Sequence, residues 1–173
     1  MQTIAEIKSL LLSRFNVLER LVDAGAAHFA GNEQALLSAK LADDMWDFGS
    51  QITAACTPAQ GFAQWSAGEP IVNWPRGVES LAQAKEIISA TKALIEGITA
   101  GEDILTTDKR IGMGPTRHAM LPGADYVRDY VIPNVYFHMA AAYMILRNQG
   151  VSLSKNDWLA YLGPYVRPNA AAE

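Results

Sequence analysis

Pro133-Asn134-Val135-Tyr136-Phe137-His138 runs on through Ala141-Ala142-Tyr143-Met144 to Ile145-Leu146-Arg147-Asn148-Gln149-Gly150. This stretch reads as the centre and end of a long helix. Asn134, His138, Ala141 and Ile145 recur at steps of four, three and four, which sets them on one stripe of the helix. Ala141 and Ile145 turn that stripe toward a core. An amide and an imidazole therefore point inward, where a polar group without a partner costs stability. The pair is either part of a site or a satisfied structural hydrogen bond.

Working outward, the same spacing rule finds three more long helices. Ile4, Ile7, Leu11, Phe15, Leu18, Val22 and Gly25 mark a first helix over about 3–29, opened by a Thr3/Glu6 capping box and stopped at Gly31-Asn32. Leu41, Met45, Phe48, Ile52, Ala55, Ala59 and Phe62 mark a second over about 42–66, with a kink or local break expected at Pro58. Leu81, Ala84, Ile88, Thr91, Ile95 and Ile98 mark a third over about 78–100, closed by Gly101. The fourth runs from near Pro122 to Gln149, bent at Pro133 and capped by Gly150.

Between these lie segments of other character. Ile71-Val72-Asn73-Trp74-Pro75 is extended or irregular, because residues before prolines avoid the helical region. Residues 103–121 carry turn chemistry in Thr106-Thr107-Asp108 and Gly112-Met113-Gly114-Pro115, which predicts a small hairpin or irregular excursion. Ser154 and Asp157 form a second capping box and open a short terminal helix that Gly163-Pro164 ends. The tail from Pro168 to Glu173 is expected to fray. The expected fold class is all-α: one domain over 1–173, an antiparallel four-helix bundle with a small excursion between helices three and four and a short C-terminal helix.

Composition bounds the function. Half of the 173 residues are hydrophobic, 18% are charged and the formal charge is -4. That balance excludes disorder, and without a basic run it argues against nucleic acid and anionic membrane as partners. The single Cys56 excludes an internal disulfide and a cysteine-based zinc knuckle. The opening Met1–Glu6 lacks the pattern of a secretory signal, and no apolar run is long enough to cross a bilayer. The expected setting is cytoplasmic.

With these elements in order, the chain resembles the DinB-like superfamily of four-helix bundles, and within it a bacterial branch of no assigned function. The resemblance is carried by Leu41-Ala42-Asp43-Asp44-Met45, by Gln51 and Ala55-Cys56, by Pro133-Asn134-Val135-Tyr136-Phe137-His138, and by Ala142 through Val151. It implies a site at one end of the bundle, where many relatives hold a divalent metal on three histidines and some act on thiol-linked substrates. By position His138 matches one of those histidines. Asn134 and Gln51 stand where the other two belong. Zinc and nickel prefer imidazole or thiolate, and an amide oxygen is a weak ligand for them. No resident metal is therefore expected; a divalent metal is the lesser reading.

His138 is the candidate catalytic residue, as general acid or base, because imidazole titrates near neutral pH. Gln51, Asn134, Asp47 and Tyr130 are the candidate binding residues. Gln51 and Asn134 can join His138 in a hydrogen-bonded cluster, since each amide both donates and accepts. Asp44, Asp47 and Gln51 are read as one polar stripe of the second helix, the acids otherwise serving its first turn. Tyr126, Tyr136, Tyr143 and Trp46 line either a cavity or the core. His28 and His118 lack a partner at ligand spacing, and Cys56 reads as a small buried hydrophobe.

Two functions follow as expectations. One is a small-molecule binder or enzyme with its polar pocket at His138, its ligand a thiol conjugate by the resemblance. The alternative is a non-catalytic structural or sensing bundle acting through association. A homodimer is expected in either case, with Trp65 and Trp74 either at a subunit interface or covering the chain's own core.

Overall fold

The structure, a computed structural model, describes residues 2–168. Its elements in chain order are α1 (Ile4–His28), α2 (Glu33–Leu37), α3 (Phe48–Ser66), α4 (Leu81–Glu96), a 3-10 turn (Glu102–Thr106), β1 (Asp108–Gly112), β2 (His118–Pro122), α5 (Gly123–Tyr126), a π turn (Val127–Val131), α6 (Ile132–Asn148), α7 (Lys155–Trp158) and a final 3-10 turn (Ala160–Tyr165). The fold is mostly helical, with a small two-stranded sheet.

The caps explain where the helices begin. Thr3 and Glu6 make the expected capping box on α1. Ser154 and Asp157 do the same for α7. The second long helix starts at Phe48 rather than near Ala42, because Asp47 takes an extended conformation and its carboxylate accepts the Ser50 N–H at 2.8 Å. The segment between α1 and α3 carries a helix of its own. Asn32 caps the five-residue α2, burying Leu36 and Leu37. The third long helix is also shorter than its apolar spacing predicts: Ser80 caps its start, and it stops at Gly97 ahead of Gly101. No break interrupts α3 at the buried Pro58.

The excursion is a hairpin, β1 and β2 pairing antiparallel from Asp108 with Pro122 to Gly112 with His118. Gly123 joins it to α5, with no room for a side chain: a Cβ there would lie 2.2 Å from the Ile104 carbonyl oxygen. The helical run that follows changes register ahead of Pro133. The Ile132 N–H bonds back to the Val127 carbonyl, five residues earlier, as a π turn does. Pro133 then sits in the first turn of α6, directly after the π turn that shifts the register of the carbonyls before it. At the far end Gly150 takes φ +83, and the bonds from Gly150 N to Arg147 O and from Val151 N to Leu146 O close the helix.

The long helices pack pairwise: α3 against α4 and α6, and α1 against α4 and α6. They enclose one apolar core in which Phe15, Phe48, Phe62, Ile52 and Ile88 are fully buried. The C-terminal turn is pinned across α1 and α6: the Arg14 guanidinium lies 3.4 Å over the Tyr161 ring and donates to the Tyr136 hydroxyl. Helix α7 ends at Trp158, and Gly163 and Pro164 fall inside the following 3-10 turn rather than ending the helix. Most of the tail expected to fray lies outside the described residues.

Candidate functional site

His138 projects from α6 toward the start of α3. Its Nδ1 lies 2.8 Å from Gln51 Oε1, and Gln51 Nε2 donates to the Trp46 carbonyl at 3.2 Å. A carbonyl oxygen only accepts, so it fixes which way the amide of Gln51 faces. With Nε2 turned to Trp46, Oε1 faces the imidazole and must receive a proton from it. Neutral His138 is therefore the Nδ1–H tautomer, and its Nε2 carries a free lone pair. Nε2 has no hydrogen-bond partner among the described residues and is not sealed from solvent. Partial burial holds the imidazole below its ordinary pKa, favouring that neutral form.

The ring itself is clamped. The Trp46 indole stacks on it with 5.7 Å between centroids and 5° between planes, and Phe137 meets it edge-on at 5.1 Å. On the Trp46 indole, in turn, rests the guanidinium of Arg76 at 4.6 Å.

Trp46, Arg76 and His138 border a cleft of about 390 Å³, within the range of small-molecule sites. Its floor is one side of α3, with Ser50, Thr53, Ala54, Thr57 and Pro58. Its far wall is the loop Asn73-Trp74-Pro75-Arg76, and Tyr130, Asn134 and His138 close it from the π turn and α6. The loop is held at three points. Val72 N–H donates to Gln64 Oε1, the Trp74 indole N–H to Thr91 Oγ1, and Gly77 N–H to Thr53 Oγ1.

The residues expected to converge do so in part. Gln51 and His138 meet, and Tyr130 and Asn134 line the same cleft. But the Asn134 amide donates at 2.7 Å to the Tyr130 carbonyl in its own helical run, not to Gln51 or His138. Asp47 and Asp44 do not extend a polar stripe with Gln51, because α3 has not begun at those positions. Asp47 is spent on the cap and borders a separate hollow with Gln34, Ser38 and Glu79. Among the remaining aromatics Trp46 lines the cleft, Tyr126 is buried against Phe62 and Trp65, and Tyr136 and Tyr143 pack near Trp158. Trp65 and Trp74 are both partly buried within this chain. Sequence reasoning missed Arg76, Trp74 and the α3 hydroxyls. The signal for the first two lay in the Trp74-Pro75-Arg76-Gly77 run of a loop read as irregular.

A protein-family model described as "Domain of unknown function (DUF1993)" matches residues 6–159. The chain belongs to this family. The DUF1993 chain is also similar to the crystal structure of a DinB family member protein from Shewanella denitrificans, with a TM-score of 0.72 and 26% identity over 98% of this chain and 93% of that one. No curated protein matches it. The DinB-like resemblance carried by the residue runs quoted above thus extends to the fold.

The metal that this resemblance implies does not fit the donor set of the DUF1993 chain. Of the three positions, Gln51 has its oxygen on His138 Nδ1, and Asn134 offers an amide; only the His138 Nε2 is a good ligand. Among the described residues no three His, Cys, Asp or Glu side chains gather at ligand spacing. Cys56 is buried, its thiol pushed up to about 12 by burial, which makes it a packed hydrophobe rather than a thiolate. His28 and His118 are exposed and stand apart from the cleft.

Proposed function

We propose that the chain binds a small organic molecule in the cleft at His138, and that His138 Nε2 accepts a hydrogen bond or a proton from it. The observation that carries this reading is the ordered line from the Trp46 carbonyl through the Gln51 amide to Nδ1–H, which leaves Nε2 bare on a ring that lines a cleft of suitable size. When Nε2 takes a proton, Gln51 Oε1 stays on Nδ1–H and steadies the imidazolium. A thiol or thiol conjugate is the ligand class that the DinB-like resemblance favours. The four packed helices support an antiparallel four-helix bundle as the scaffold and one domain as the functional unit. The lone Cys56, together with the lack of any described helix long and apolar enough to cross a membrane, fits a cytoplasmic setting.

Solution NMR of tryptophan indoles tests the reading, with glutathione, S-benzylglutathione and benzamide as probes. Shifts confined to Trp46 and Trp74, and lost in His138→Ala, support it. Probes that leave both indoles unmoved at millimolar concentration, or move Trp158 equally, overturn it.

A second reading has its own observation. Phe137 and Met144, seven residues apart on the outer side of α6, are 64% and 51% exposed. They support a non-catalytic role through self-association, the homodimer serving as a structural or sensing bundle.

A further inference from the structure

Arg76 is the one arginine or lysine bordering the cleft, and its guanidinium makes no hydrogen bond and no ion pair among the described residues. It is nevertheless not adrift. Trp46 supports one of its faces at 4.6 Å, and its loop is tied to α3 and α4 on either side by the Trp74–Thr91 and Gly77–Thr53 bonds. Arg76 is exposed, and the indole gives its planar fork of donors a resting place from which it can engage a carboxylate through two bonds.

Among the described residues the rest of the lining has no carboxylate to meet that charge. Asp47 and Glu79 border the adjoining hollow with Arg76, but neither pairs with it, and Asp47 is engaged at the α3 cap. Trp46, Trp74, Pro58 and Tyr130 belong to the same lining as Arg76 and His138, and they suit an apolar or aromatic body. Partial burial favours the neutral form of the His138 imidazole, so Arg76 is the lasting positive charge of the lining. A single carboxylate matches it; a phosphate dianion would leave charge uncompensated.

We infer that the ligand of this cleft is a monoanionic carboxylic acid with an apolar or aromatic body, its carboxylate held by Arg76 and its far end within reach of His138. The inference rests on the reading of the cleft as a small-molecule site.

The test uses the full chain and three probes of matched size: 3-phenylpropanoate, its neutral amide 3-phenylpropanamide, and phenyl phosphate. Dissociation constants are read from the Trp46 and Trp74 indole shifts. The acid is expected to bind about tenfold tighter than the amide, the scale of one charge-assisted hydrogen-bonded contact. Arg76→Gln should bring the acid down to the level of the amide and leave the amide unchanged. Equal binding of acid and amide, or an acid that ignores Arg76→Gln, overturns the carboxylate assignment while leaving the cleft a binding site. Tighter binding of phenyl phosphate overturns the monoanion. If neither acid nor amide moves either indole, the small-molecule reading fails and this inference with it.

Discussion

His138 has one ring nitrogen committed and one free, and that asymmetry decides what its loss would do. His138→Ala removes the Trp46 stack and leaves Gln51 Oε1, on a side chain only 2% exposed, without its donor. The cost should be about 1–3 kcal/mol in urea unfolding. Asn134→Leu severs only a bond within its own helical run and should cost about 1 kcal/mol or less. A reversed order would contradict the structural part assigned to each. Burial also gives His138 a pH signature. Its folded pKa lies below the ordinary 6.5, so the unfolded chain takes up the proton first. The stability tied to the neutral ring is complete above 6.5 and is lost as pH falls from there toward the folded value. The wild-type unfolding midpoint should therefore fall more than that of His138→Gln between about pH 7.5 and about pH 5.5. Equal slopes would show that the ring titrates alike in both states.

At the scale of elements, the junction between the hairpin and α5 is the tightest point in the fold. Gly123→Ala would press a methyl group against the Ile104 carbonyl and the Trp65 ring. Displacement of the 3-10 turn should cost about 1–3 kcal/mol, seen as a lower thermal midpoint. The long helices were legible in the sequence because their apolar spacing is a period-3.6 signal, and the capping boxes at Thr3 and Ser154 were legible because they are local. The start of α3 was not. Leu41 and Met45 continue its apolar spacing backward, but Asp47 can satisfy the Ser50 N–H only from an extended conformation, and that cap prevails. The π turn was hidden too, since Pro133 signals a disturbance without saying how the preceding carbonyls adjust. In the site, His138 and Gln51 were legible by helix position. Arg76 and Trp74 were not, because loop residues have no period, and their place depends on hydrogen bonds to Thr53 and Thr91 made across the fold.

For the whole molecule, the cleft and the exposed outer side of α6 lie close together, Phe137 touching the His138 ring from that side. If copies associate through Phe137 and Met144, sedimentation at micromolar concentration should give a dimer, and Phe137→Ser with Met144→Ser should return a single chain. A wild-type protein sedimenting at the mass of one chain would remove the association reading. The small-molecule reading depends instead on the state of one imidazole in the intact fold. Long-range nitrogen NMR at about pH 7.5 can read it directly, with exposed His28 and His118 as internal references and His138→Gln for assignment. The expected result is a neutral His138 ring protonated at Nδ1 with a bare Nε2. A ring protonated at Nε2, or an imidazolium at that pH, would contradict it.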